Sequence, residues 1–339
     1  MQVMYRFNRF IEKWMPFVTP CSLLLGVLFS TWLTSYSFLV PWIFAFMTFA
    51  GGLGSGFKDM KKVMQHPAPL LACMLILHIW MPLIAWGAGH LFFSSDPYTI
   101  TGIVLAFAIP TGIVSFMWVS LYQGNIALTL SIILVDTFLA PFVVPFTLRL
   151  LVGANVSIDI WGMMQGLIWM VVLPSLAGMT LNHWSKGGVK TTLAPKLAPF
   201  SKIGLILVVA INASVVAPNF KHIDGKFLAV AATILVIAAS GYVWGWLTGK
   251  RLKGDKGVIV AMTFNSGMRN ISAGAVIAAT YFPAQVVFPV MVGTLFQQIL
   301  ASTYAHFLSR TYGHRDGSVP PPAAKVKASA KPRDLAAKG

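Results

Sequence analysis

The feature that most constrains this chain is its succession of long apolar runs, separated by short loops that hold nearly all of the charge. About 20 apolar residues are needed to cross a bilayer as a helix. Ten runs reach that length, near 15–34, 37–56, 68–93, 98–121, 125–152, 158–182, 199–217, 226–248, 257–281 and 284–309. The ~10-residue alternating segments of membrane strands are missing. The chain is 57% hydrophobic and only 10% charged, whereas soluble domains carry about 25% charged residues. That excludes a soluble enzyme, a disordered protein and a coiled coil. The expectation is an all-α polytopic membrane protein.

The net charge of +16 then speaks of topology, and no nucleic-acid partner is expected. On the ten-helix reading, Arg6, Arg9 and Lys13 share a side with Lys58, Lys61 and Lys62. So do Lys186, Lys190, Lys196 and Lys202, then Lys250, Arg251, Lys253 and Lys256, and every cation from Arg310 onward. Arg149, Lys221 and Lys226 fall on the other side with Asp96, Asp159 and Asp224. Positive loops stay cytoplasmic, so the chain is expected in the cell membrane with both termini inside.

Residues 1–312 are expected to form the transmembrane domain. Residues 313–339, rich in Gly, Pro, Ala and Lys, read as a disordered basic tail. That tail either touches anionic lipid headgroups or is simply solvated. The N-terminal apolar stretch contains Pro16 and Pro20 and lacks a convincing cleavage site, so it reads as a retained first helix. Cys21 and Cys73 have no metal-ligand spacing and read as small apolar fillers.

Two apolar runs carry a helix-breaking segment. One is Pro110-Thr111-Gly112-Ile113-Val114-Ser115, the other Asn265-Ser266-Gly267-Met268-Arg269-Asn270. Aligned on Gly112 and Gly267, they lie 155 residues apart, with Pro110 on Asn265 and Ser115 on Asn270. Five helices between equivalent positions mean opposite directions across the bilayer. This is the organisation of an inverted repeat, as in many secondary transporters, with halves near 10–153 and 157–311. The alternative is two kinked helices with packing glycines. Unwound backbone at mid-membrane is tolerated only where it lines a cavity or binds something.

Arg269 sits near the centre of the ninth run, where an Arg costs about 2.5–3.5 kcal/mol on the insertion scale. It therefore needs a carboxylate or a bound anion as partner. Asp136 is the acid inside the bilayer. It shares a helix face with Thr129 and lies roughly 10 Å along the axis from it, at 1.5 Å per residue. Three readings are open for it: a pair with Arg269, a proton-carrying coupling group, or a cap on a backbone break near Pro141. His78, four residues before Pro82, reads as a buried hydrogen-bonder, a cavity-lining donor or a proton carrier. No H-E-x-x-H, P-loop or G-x-S-x-G is present, so neither an enzyme nor ATP coupling is expected.

These segments resemble the bile acid:sodium symporter family. The likeness rests on Gly52-Leu53-Gly54-Ser55-Gly56-Phe57 with Lys58-Asp59 and His66-Pro67, and on His78 through Trp86 with Met81-Pro82. It rests also on Pro110-x-Gly112-x-x-Ser115 followed by Gly124-Asn125-Ile126-Ala127-Leu128-Thr129, and on Gly267-Met268-x-Asn270. The resemblance implies ten helices in two inverted five-helix repeats. Helices 1, 2, 6 and 7 would form a panel, and 3–5 and 8–10 a core in which helices 4 and 9 unwind and cross. It implies transport of organic anions by alternating access, commonly driven by sodium.

The sequence departs from the family's sodium ligands. The helix-9 acid is Asn265, and the helix-9 glutamine is Arg269. The helix-3 glutamine is His78, and Phe116 and Ile133 replace polar ligands on helices 4 and 5. The sodium ligands left are Ser115, Thr129, Asn265 and backbone carbonyls, so two sodium sites of the usual kind are not expected, and no other cofactor is. Arg269 is instead expected to act as a fixed cation, facing Asp136 or a carboxylate substrate. The substrate or ion site is expected to include Ser115, Thr129, His78, Asn265, Met268, Arg269 and Asn270, around breaks at Pro110, Gly112 and Gly267. Transport would then couple to protons through Asp136 or His78, or follow the substrate gradient. The alternative function is a cation/proton antiporter using Asp136. Oligomeric state and substrate identity are open.

Overall fold

The computed structural model describes residues 18, 20–54, 56, 67–154, 156–218 and 224–312. The tail 313–339, the N-terminal cations, the Lys58, Lys61 and Lys62 loop and Lys221 lie outside the described residues. Among the described residues the chain is all helix, turn and loop, apart from one isolated antiparallel bridge between Thr111 and Arg269.

Seven helices are long and apolar enough to cross a membrane, among the described residues. Ten were expected, and the difference has a physical origin. The runs 98–121 and 257–281 are each split by a backbone break. One apolar half of each, Pro97–Ala108 and Ile271–Tyr281, is too short to span alone. The expected boundary between 15–34 and 37–56 is a 3-10 stretch, Thr34–Leu39, that carries helix directly into Val40–Gly52. The helix expected from 199 starts earlier, as Ala194–Val215, with Pro199 inside its first turns.

Helix starts are fixed by side-chain caps, which satisfy N–H groups that have no partner within the helix. Asp96 accepts from Thr99 N at 3.0 Å, Asp159 from Gly162 N at 2.9 Å and Asp224 from Phe227 N at 2.7 Å. These are the acids assigned to the outer side, and each begins a helix. Asp255 and Asn125 do the same for Lys256–Gly267 and Ile126–Val152. The Asn125 N–H also donates to the Gly257 carbonyl at 2.8 Å, tying those two helix starts together.

Small residues let helix backbones approach closely where lipid supplies no hydrophobic drive. Gly241, Gly245 and Gly249 form such a stripe on Gly225–Arg251. A Cβ at Gly241 would meet the Ser266 carbonyl at 2.9 Å, and one at Gly249 would meet Ile259 Cα at 3.1 Å. The stripe seats Lys256–Gly267, the first half of the broken ninth run, against its neighbour and so fixes the height of the second break.

Candidate functional site

The two breaks meet. Pro97–Ala108 ends at an extended Ile109 and helix resumes at Val114–Leu121. Lys256–Gly267 ends at an extended Met268 and helix resumes at Ile271–Tyr281. The Asn270 N–H donates to the Pro110 carbonyl at 2.8 Å. Gly112 lies under the Arg269 backbone, where a Cβ would be 2.9 Å from its carbonyl oxygen.

Thr111 faces Arg269, which is 158 residues further on. Gly112 and Gly267 have different jobs. Gly112 permits the backbones to touch, whereas Gly267 closes a helix and receives the face of the Tyr242 ring.

Thr111, which sequence reasoning passed over, is the hub. Its N–H donates to Asp136 Oδ2 at 2.6 Å. Its hydroxyl lies 2.9 Å from the Asn265 carbonyl and 3.1 Å from the Met268 carbonyl, to which its single hydrogen can be donated. Its position in the Pro110-Thr111-Gly112 break was the available signal. Asp136 is 0% exposed. Of the three readings open for it, the cap near Pro141 gives way to a cap on the break of a neighbouring helix. Its other oxygen, Oδ1, lies 2.8 Å from His78 Nε2, with the ring N–H not aligned along the contact. His78 sits on a π-turn, Ile76–Trp80, the kind of helix irregularity that redirects a side chain.

Arg269 is 4% exposed. The direct pair with Asp136 does not form. No Asp or Glu oxygen among the described residues lies within ion-pair distance of the guanidinium. Nη1 instead donates to the Ser266 carbonyl at 2.9 Å and approaches the Met268 carbonyl at 3.4 Å. These carbonyls belong to a helix C-terminus, the negative end of its dipole. Asp136 conversely meets the break that leads into the N-terminus of Val114–Leu121, where the dipole is positive. Each buried charge thus complements a half-helix end, which is why they need not pair with each other.

A second cluster holds three of the expected site residues. Ser115 Oγ donates to Asn265 Oδ1 at 2.9 Å. Asn265 Nδ2 donates to Thr129 Oγ1 at 3.1 Å and to the Ala261 carbonyl at 2.7 Å. All three side chains are buried. The remaining two expected ligands behave otherwise. Met268 is buried and contributes its carbonyl, and the Asn270 side chain caps Ile271–Tyr281 by accepting from Ala273 N at 3.2 Å. Gln297 was not foreseen. Its Oε1 accepts from the Arg269 backbone N–H at 3.3 Å.

Residues 41–223 match the model of the Sodium Bile acid symporter family. That stretch contains the first break, Thr111 and Asp136. The chain is 53% identical to YbaS of Bacillus subtilis (strain 168), named an uncharacterized protein, over 87% of this chain and 97% of that one. It is 25% identical to YocS of the same organism, named an uncharacterized sodium-dependent transporter, over 83% of this chain and 85% of that one. It is 27% identical to BASS1 of Oryza sativa subsp. japonica, named a probable chloroplastic sodium/metabolite cotransporter, over 68% of this chain and 56% of that one.

Proposed function

The chain belongs to the Sodium Bile acid symporter family, and from that premise we propose that it is a secondary carrier of a small organic anion, working without sodium. It moves its substrate by alternating access, using ten helices in two inverted repeats that cross at the breaks. In this reading residues 1–312 form the carrier in the cell membrane and 313–339 a cytoplasmic tail, with both termini on the cytoplasmic side.

The observation that carries this reading is a buried guanidinium at the crossing, whose Nε and Nη2 have no partner among the described residues. A fixed cation at mid-membrane attracts an anion and disfavours a metal cation beside it. The sodium in the names of YocS and BASS1 belongs to those proteins. Here the oxygens left as sodium ligands are already tied into protein hydrogen bonds, with Ser115 Oγ donating to Asn265 Oδ1. Ser266 O accepts from Arg269, and Thr129 Oγ1 from the Asn265 amide. An amide nitrogen and a guanidinium stand where a sodium site needs oxygen.

The coupling group in this reading is the His78–Asp136 pair. It contacts the crossing through the Thr111 N–H, so a proton gained or lost there acts on the backbone that must move. Cation/proton antiport through Asp136 is less well supported, because Oδ2 is held by the Thr111 N–H, His78 Nε2 sits 2.8 Å from Oδ1, and Arg269 places a fixed cation at the same crossing.

Uptake into proteoliposomes tests the proposal. A panel of organic anions is offered with a sodium gradient, with a pH gradient, and with neither. Uptake of at least one anion is expected without sodium and lost in Arg269→Ala. Strictly sodium-dependent uptake overturns it.

A further inference from the structure

The cleft beside Arg269 carries more than a charge. It is formed by the end of Pro97–Ala108, both arms of the ninth run, Gly225–Arg251 and Ala284–Tyr312, and it holds about 360 Å³ including its open mouth. Arg269, Tyr242 and Gln297 supply its polar wall, and Phe107, Ile234 and Val290 are among its apolar lining. Tyr242 is 1% exposed, and its hydroxyl is buried with no hydrogen-bond partner among the described residues. The same is true of Nε and Nη2 of Arg269.

Three buried donor atoms without partners, on two residues lining one cleft, are an expensive arrangement. Each buried group left unsatisfied costs on the order of 1–3 kcal/mol, more when charged. The Tyr242 ring is held firmly, stacked on Tyr304 at a centroid distance of 4.6 Å and seated on Gly267. Its hydroxyl therefore cannot swing away to find a partner. The Nε–Nη2 edge of an Arg is the edge that grips a carboxylate through two parallel N–H···O bonds. Nη1 is already committed to the Ser266 carbonyl, which fixes the fork and leaves that edge free.

Resting on the organic-anion reading above, we propose that this cleft is the substrate site, selective for a compact monocarboxylate with a short apolar body, and that Tyr242 is a substrate-binding residue. The carboxylate takes two hydrogen bonds from Arg269 and one from the Tyr242 hydroxyl. The apolar body lies against Phe107, Ile234 and Val290. Because about 360 Å³ counts the open mouth as well, the enclosed space is smaller still and cannot take a steroid acid.

The test uses the purified full-length protein and three probes: 3-methylbutanoate, its neutral amide, and cholate. Thermal shift and titration calorimetry read binding. 3-Methylbutanoate is expected to raise the melting temperature, whereas the amide and cholate do not. Tyr242→Phe removes only an unpartnered buried hydroxyl, so without ligand it should melt at or above the wild-type temperature, and it should bind 3-methylbutanoate about tenfold more weakly or worse. Arg269→Lys, which keeps the charge and loses the fork, should weaken it further. Ala238→Leu, on the cleft wall, should weaken 3-methylbutanoate more than acetate. Cholate binding without 3-methylbutanoate binding overturns this site while leaving the anion carrier intact. Unchanged affinity in Tyr242→Phe also overturns it. If none of the anions binds or is taken up, the carrier reading fails with it.

Discussion

The Thr111 N–H donates to Asp136 Oδ2 at 2.6 Å, so a carboxylate on one helix holds the broken backbone of another. Asp136 thereby links His78, 2.8 Å from its other oxygen, to the crossing point. A change in charge on this pair acts on a main-chain hydrogen bond, and no further relay is needed.

Removing Asp136 should therefore hurt both stability and transport. Asp136→Ala leaves the Thr111 N–H unpaired and His78 without its anion, and should destabilise by about 3–5 kcal/mol. Asp136→Asn keeps an acceptor for Thr111 and should melt nearer the wild type. Its uptake should lose any response to an imposed pH gradient. Retained pH-driven uptake in Asp136→Asn removes the pair from coupling.

The sodium ligands should be recoverable. In Asn265→Glu combined with Arg269→Gln, an acid returns to the ninth run and the fixed cation is removed. Sodium is expected to raise the melting temperature of this double variant, because a ligand that binds only the folded state stabilises it. The wild type should show no difference between sodium and potassium chloride. A sodium-specific shift in the wild type would contradict the sodium-free reading.

The glycine stripe predicts steep size sensitivity. A Cβ at Gly245 would run into the Met262 carbonyl, and backbone cannot yield as a flexible side chain does. Gly245→Val should destabilise by at least the ~1–3 kcal/mol typical of overpacking. Gly225, with nothing near its missing Cβ, should tolerate Ala with little change. Denaturation of the two variants side by side checks this.

Asp96 sets a pH dependence outside the membrane. Partial burial pushes its carboxyl up, but hydrogen bonds from Lys226 and Thr99 outweigh that and hold it below its ordinary value of 3.8. A lowered folded-state value means its contribution is present above the ordinary value and is lost as pH falls through the folded one. Asp96→Ala should cost about 1 kcal/mol at neutral pH through the lost cap, and the difference from wild type should shrink below about pH 4. Lys226→Ala, which breaks a 2.5 Å surface ion pair, should cost no more than about 1 kcal/mol. Melting curves at pH 3 and pH 7 measure all three.

Much of the site was legible before any coordinates. Ser115, Thr129 and Asn265 do come together, and the breaks at Pro110 and near Gly267 are real. What could not be read was which acceptor each donor chooses. Arg269 and Asp136 looked like a pair because they are opposite charges in an apolar interior. The half-helix ends that satisfy them separately exist only once the two breaks are threaded past each other. Tyr242 and Gln297 gave no sequence signal beyond their types, and Thr111 only its place in the first break. The boundary at residues 34–39 was blurred because a 3-10 stretch there continues the helix without a linker.

The sequence by itself determined a multi-pass helical membrane protein with two interrupted helices, because hydrocarbon admits no unpaired backbone and apolar run length records each crossing. Family membership, too, was visible in its motifs. Only the tertiary structure decided where the interior charges point. Hydrogen-bond partners across a crossing are separated by some 130 to 160 residues of chain, as Thr129 is from Asn265 and Pro110 from Asn270. Local pattern carries no information at that range. It took the packed helices to show that Arg269 caps its own half-helix through Nη1 and leaves Nε and Nη2 without a partner among the described residues.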